Sequence, residues 1–267
     1  MLFAIYIVMS ENVLLVELRP STWIIPPTVS TEVLMKWAKL GWINKEDAEH
    51  LDRAFYRDNE GRPILTEHQF RSCINKAIER MLDLEAGTDY YEQITELQRE
   101  ALAESNKERR KEIEEEIRQI VKERDVKFGV LLRQLRKNVR FRLVDFAVAD
   151  NKVRKLQIGY IVIFDPPDKT RVPVTTPDGI RSSEYIEYLH SAHKLLFWVE
   201  AKNPTAFMNI LTLAGRDVGF GARTSRGFGR FSVRALDYDS PKPLEEVWKE
   251  LSDGEKEENK RCKGGKK

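Results

Sequence analysis

Gly219-Phe220-Gly221-Ala222-Arg223-Thr224-Ser225-Arg226-Gly227-Phe228-Gly229-Arg230-Phe231 sets two Gly-Phe-Gly steps around a short arginine-bearing segment. Before it, residues 203–214 have the apolar spacing of a helix, with Pro204 at the first turn; after it, residues 230–236 alternate as a strand. The glycines therefore join a helix to a strand. A dinucleotide fingerprint follows a strand and opens a helix, and here its third glycine would be Thr224. A P-loop needs Gly-Lys-Ser/Thr four residues beyond its first glycine, and no such lysine is present. The loop therefore predicts no nucleotide cofactor. Instead its glycines let another backbone come close, Arg223, Arg226 and Arg230 offer planar forks of donors to phosphate oxygens, and its phenylalanines can anchor the loop or stack on bases.

Working outward, residues 12–19 are β-rich and stop at Pro20, which makes them the first strand. Residues 31–40 and 45–55 have helical spacing, with Ser30 and Asn44 as caps and Gly41 as a break. Thr66 caps a further helix to residue 82, whose buried stripe is Phe70, Cys73, Ile74, Ala77, Ile78 and Met81. Residues 90–127 predict one long helix or a helical hairpin, and the nearly all-polar stretch 104–116 predicts a projecting tip. Residues 139–148 and 155–164 alternate around a turn at 149–152 and predict a hairpin; 165–181 is read as a proline-rich loop and 193–201 as a strand. A short helix is expected over 244–251.

In order, the elements are strand, helices, strand hairpin, strand, helix, glycine loop and strand. That is an α+β chain with a ferredoxin-like, RNA-recognition-motif-like βαββαβ sheet and large helical insertions. We expect a single domain over 1–252, insertions at about 28–82 and 83–137, and a charged disordered tail over 253–267. Such a sheet leaves one face open for RNA.

The chain has 267 residues, 41% hydrophobic and 33% charged, enough to bury a core and with a charge density that suits a thermophile. Net charge is only +2, but it is segregated. Residues 122–142 hold eight Lys or Arg against two Asp or Glu, and residues 216–234 hold five Arg against one Asp. A basic groove on an acidic body fits nucleic acid better than it fits a general polycation. Two cysteines, Cys73 and Cys262, make neither a disulfide framework nor a zinc site, and no metal is expected. The apolar start Met1-Leu2-Phe3-Ala4-Ile5-Tyr6-Ile7-Val8 is too short to span a bilayer and lacks a basic leader; Met9 offers a second start of translation.

Over Leu213 to Phe231 the chain resembles the RAMP superfamily of CRISPR-associated RNA-binding proteins, which carry a glycine-rich loop between the last helix and the last strand of an RNA-recognition-type fold. Two further stretches are similar to the backbone subunits of effector complexes. Arg62-Pro63-Ile64-Leu65-Thr66-Glu67-His68-Gln69-Phe70-Arg71 sits where those subunits start an RNA-contacting helix, with Leu65 and Thr66 replacing a Gly-Ser pair. Phe141-Arg142-Leu143-Val144-Asp145-Phe146-Ala147 resembles their second strand.

The resemblance implies a cytoplasmic subunit of an effector ribonucleoprotein that holds guide RNA beside other effector subunits or copies of itself. It implies no small-molecule cofactor and no membrane partner. The RNA-binding candidates are Arg216, Gly219, Gly221, Arg223, Ser225, Arg226, Gly227, Gly229 and Arg230 in and before the loop, with Arg71, Lys76, Arg140 and Arg142 elsewhere. Some relatives cut target RNA with a loop aspartate, for which Asp58 is the candidate. Others process the guide precursor with a histidine, for which His68, opening a helix after a loop, is the candidate. A third alternative is an adaptor that uses the helical arm at 90–127 and binds no RNA.

Overall fold

Leu195-Leu196-Phe197-Trp198-Val199 is apolar at every position, as in a strand covered on both faces. The protein, described by a computed structural model over residues 12–264 apart from 87, 151, 176–180 and 239, places that strand near the centre of a five-stranded sheet. The apolar start at residues 1–8 and the alternative start at Met9 lie outside the described residues.

The chain runs β1 (Val13–Pro20), α1 (Thr31–Lys39), α2 (Lys45–His50), β2 (Leu51–Arg53), β3 (Tyr56–Arg57), β4 (Pro63–Thr66) and α3 (Glu67–Ala86). Then come α4 (Thr88–Ala103), α5 (Lys107–Asn138), β5 (Phe141–Ala149), β6 (Lys152–Gln157), β7 (Tyr160–Val162), β8 (Asp168–Thr175) and β9 (Arg181–Tyr188). Last are β10 (Leu195–Ala201), α6 (Pro204–Leu213), β11 (Phe231–Leu236) and α7 (Leu244–Gly264). The chain is thus a mixed α+β protein whose strands pair antiparallel except for β2, which runs parallel to β9.

The main sheet has the order β11-β1-β10-β5-β6, and every neighbouring pair is antiparallel. Its register sorts the side chains by face. Val16 lies opposite Phe197, and both join Leu18, Leu143 and Val199 against Phe70, Ile74 and Ile78 of α3 and Phe207 of α6. Leu15 lies opposite Trp198, and these join Leu196, Val144 and Phe146 under Leu244 and Val247 of α7. Burying each such side chain stabilises the fold by about 1.5–3 kcal/mol. The sheet face expected to stay open for RNA is therefore covered by α7 over its central strands. The cause is legible in β10, whose unbroken apolar run needs cover on both sides.

Thr66 caps α3 through a reciprocal pair: its Oγ1 accepts from Gln69 N (3.3 Å) and its own N donates to Gln69 Oε1 (3.0 Å). The arm is a hairpin of α4 and α5, closed by Ile94, Ala101 and Ile113 and started again by Asn106, which accepts from Glu108 N. Arg136 anchors it to Glu79 of α3 at 2.7 Å.

Five expectations need correction. The helix read over 45–55 stops at His50, because Leu51, Ala54 and Phe55 are buried and Phe55 N donates to the buried Glu187 carboxylate at 2.9 Å. Segment 28–82 is therefore not wholly helical but also holds β2, β3 and β4. The hairpin at 139–164 ends at Gln157, and β7 leaves to pair with β4. The loop read over 165–181 contains β8, which pairs with β9 from Asp168 opposite Tyr188 to Thr175 opposite Arg181; its Pro173 is tolerated because β8 is an edge strand. Finally, α7 continues through residues read as a disordered tail as far as Gly264. Glu and Lys dominate there, and both are good helix formers.

Candidate nucleic-acid interface

Asn203 caps α6 by accepting from Ala206 N (3.0 Å), and the helix ends in one wide turn over Ala214–Val218 before Gly219. The glycine loop then folds onto the segment that follows β1. Ala222 N donates to Ile25 O (2.7 Å), Gly229 N to Trp23 O (2.8 Å), and Phe220 N to Gly229 O (3.1 Å). Two glycines make this closure possible. Gly221 has φ 93°, and a Cβ there would meet Ile25 O at 2.4 Å; Gly229 has φ 81°, and a Cβ there would meet Phe220 O at 2.2 Å. The close approach expected for RNA is made here by the protein's own backbone. Phe220 is the anchor, buried against Phe70 and Phe231, while Phe228 is half-buried near Trp23.

The loop arginines divide by environment. Arg223 is nearly buried and pairs with Glu184 of β9 at 2.8 Å. Arg216 is exposed and pairs with its neighbour Asp217. Arg230 is half-buried, and its Nη1 is buried without a hydrogen-bond partner among the described residues. Ser225 and Arg226 lie exposed in the short 3-10 turn Thr224–Arg226, with Gly227 beside them at φ 86°. Of these arginines, Arg226 is the one that is both exposed and without an ion pair to any described residue, which leaves it available to a phosphate.

Beside the loop lies a cleft of about 370 Å³ between α3 and residues 27–28. Gly219 to Ala222 and Thr224 form one wall; His68, Gln69, Ser72 and Lys76 of α3 form the other. Arg53 also lines it, and no carboxylate does among the described residues. His68, Ser72 and Lys76 recur every four residues on α3, so they share a face beside the buried stripe. Sequence reasoning selected His68, Lys76 and the glycines, but missed Gln69, Ser72 and Arg53. For Gln69 and Ser72 the signal was present as polar residues at helical spacing from His68 and Lys76. For Arg53 there was none, since a long-range bridge from Thr28 to Arg53 brings it in.

The other candidates lie apart. Arg71 donates to Phe141 O (2.7 Å), pairs with Glu67 (2.7 Å) and stacks over the Phe141 ring, so it holds α3 to β5. Arg140 is exposed and lines a separate hollow of about 120 Å³ with Arg71 and Arg136. Arg142 is exposed on the sheet in register with Glu200. Asp58 is 6% exposed; its carboxylate accepts from Glu60 N, Arg62 N and Arg62 Nε, all within 2.9 Å. Those bonds close the turn at 58–62.

Burial pushes the Cys73 thiol up to about 12, against the opposing pull of Lys76 and Arg230, so it lines the cleft as an inert group. The hydrogen bond from Arg53 holds Glu184 below the usual carboxylate range; burial opposes it, and the charges of Arg53 and Arg223 reinforce it. Asp168, His190 and His193 place one potential ligand atom each within 4.8 Å of the others. Their hydrogen bonds already occupy them: His190 Nε2 meets Asp168 Oδ2 (2.7 Å), His193 Nδ1 accepts from His190 N (3.2 Å), and His193 Nε2 meets Pro166 O (3.1 Å). No described helix is long and apolar enough to cross a membrane.

A family model described as the RAMP superfamily matches residues 28–232. No curated protein matches the chain significantly. Among solved structures, a chain in the cryo-EM structure of the Type III-B Cmr-beta bound to cognate target RNA is 11% identical, with a TM-score of 0.40, over 85% of this chain and 60% of its own length. Cmr6 from Pyrococcus furiosus, a crystal structure, is 11% identical with a TM-score of 0.33, over 82% of this chain and 97% of its own. This chain thus spans 60% of the length of the first of these.

Proposed function

Given that the chain belongs to the RAMP superfamily, we propose that it is an RNA-binding subunit of a CRISPR effector ribonucleoprotein, holding guide RNA at the cleft beside the glycine loop. The observation that carries this reading is the cleft's lining: Lys76 offers an exposed ammonium, Arg53 a guanidinium shared with Glu184 and His68 an imidazole, and no carboxylate lines it among the described residues. A phosphodiester strand laid there meets the Lys76 ammonium and hydroxyl and amide donors. Arg226 and Ser225 at the loop tip extend the same surface. The four strands β11-β1-β10-β5 with α3 and α6 fit the ferredoxin-like plan, with β6 added at one edge and the α4–α5 arm inserted after the first helix. Other effector subunits or copies of this chain are the protein partners in this reading, and the setting is cytoplasmic.

Binding governed by phosphate contacts depends on salt and little on sequence. The test is fluorescence anisotropy of single-stranded RNA with the wild type, Lys76→Glu and Arg226→Glu across a salt series, together with sequencing of RNA that co-purifies from native cells. Weaker binding in both variants, and co-purified guides of uniform length, support the reading. Wild-type protein that binds no RNA at low salt sinks it.

One observation favours a second reading. His68 and Lys76 are both exposed along the cleft, about two helical turns apart, where a histidine can take a proton from a ribose 2′-hydroxyl and an extended lysine can reach toward the phosphate. A metal-independent endoribonuclease would leave 2′,3′-cyclic phosphate ends on repeat RNA and lose activity in His68→Ala. Uncut RNA with the wild type excludes it.

A further inference from the structure

A row of half-buried rings leads from the glycine loop to the β8–β9 hairpin. The Phe228 ring lies 6.3 Å from Trp23, Trp23 lies 4.4 Å from Tyr188, and Tyr188 lies 5.8 Å from His190. The first three pack on a small buried cluster of Ile25, Val172 and Ile186 on one side and meet solvent on the other. Aliphatic residues would cover such a cluster equally well. Aromatic rings add a flat, polarisable surface with a partly wet face, on which any base can stack.

The hairpin's described acids are held by partners. The three described acids of β8 and β9 are all engaged: Glu184 by Arg53 and Arg223, Glu187 by Arg57, and Asp168 by His190. Trp23 is also bonded to the loop directly, since its carbonyl accepts from Gly229 N. The rings therefore continue from the loop that forms one wall of the cleft, and the exposed Asp168 carboxylate, cross-strand from Tyr188 and hydrogen-bonded to His190, marks their far end.

We infer that Trp23 and Tyr188 form a stacking platform for bases of single-stranded RNA, along which a strand held at the glycine-loop cleft continues toward the β8–β9 hairpin. The inference rests on the RNA reading of the cleft. Its chemistry differs from that of the cleft: the cleft engages phosphates, whereas the platform engages base faces.

That difference gives the test. Anisotropy is measured with a short uridine oligomer and with the same oligomer carrying abasic sites, using the wild type, Trp23→Ala, Tyr188→Ala, Tyr188→Phe and Lys76→Glu. Each alanine variant should weaken binding of the base-bearing RNA by about tenfold while leaving the abasic RNA unchanged. Tyr188→Phe should bind as the wild type does, and Lys76→Glu should weaken both RNAs. Alanine variants that bind base-bearing RNA like the wild type overturn the platform and leave the cleft standing, provided Lys76→Glu still weakens binding. Equal loss of both RNAs with a lowered melting temperature also overturns it, because the rings then only hold the loop. Wild-type protein that binds neither RNA at low salt removes the cleft reading, and the platform with it.

Discussion

Arg223 Nη2 lies 2.8 Å from Glu184 Oε2, and this contact ties the glycine loop to β9 across 39 residues of sequence. The same carboxylate oxygen accepts from Arg53 Nε at 2.7 Å, so one acid joins the loop, the hairpin and the short strand β2. Removing one guanidinium from a largely buried cluster costs more than removing an exposed one. Arg223→Ala should lower stability by about 1–2 kcal/mol, and Arg226→Ala should stay within about 0.5 kcal/mol. Thermal melting checks both; equal effects would mean that the Arg223 contact carries no tertiary weight.

The same pair predicts a pH dependence. Glu184 is held below its ordinary value of 4.5, first by the hydrogen bond from Arg53. A carboxyl lowered by folding contributes stability that is present above the unfolded value and lost as pH falls through the folded one. The wild type should therefore lose stability on acidification below about pH 4.5, as its carboxylates are protonated. Glu184→Gln should be less stable at neutral pH but should change less over that acid range. Parallel acid melting curves for the two proteins would contradict this.

The glycines of the loop should differ from one another. At Gly229 and Gly221 a side chain meets backbone oxygens at 2.2 and 2.4 Å, and backbone cannot move aside cheaply. At Gly227 a Cβ meets nothing within 4 Å, and only the left-handed backbone, φ 86°, opposes substitution. Gly227→Ala should cost about 1 kcal/mol, whereas Gly229→Ala and Gly221→Ala should cost more than about 3 kcal/mol or prevent folding. Denaturant midpoints order the three, and a Gly227 variant as damaged as the other two would refute the geometry.

The sequence carried the main sheet more clearly than it carried the small ones. Val16, Leu18, Phe197 and Val199 announce buried strands by composition, and Thr66 with Gln69 announces the start of α3. The two-residue β3 and three-residue β2 announce nothing, because they are held by partners far away: β3 by β4, and β2 by β9. Pro173 concealed β8, since a proline argues against a strand unless the strand lies at an edge. At the site, the glycines and arginines were visible as a motif, but their use was not. Whether Arg223 faces RNA or Glu184 depends on a residue 39 positions earlier, and local sequence does not encode that distance.

Asp58 provides a separate check on chemistry. Its buried carboxylate closes the turn at 58–62 and pairs with Arg62 at 2.7 Å. Asp58→Ala leaves those donors unpaired and should cost about 2–3 kcal/mol. RNA affinity at a temperature where the variant is folded should not change. A variant of normal melting temperature that alters the fate of bound RNA would place Asp58 in a reactive site instead.

The most direct test of the central claim is ultraviolet cross-linking of the protein to single-stranded guide-type RNA, with the linked peptides mapped by mass spectrometry. The account predicts cross-links on the α3 face from His68 to Lys76 and on residues 219–228, with further links at Trp23 and Tyr188 if the platform is used. Cross-links confined to the α4–α5 arm or to the α7 face of the sheet would contradict it.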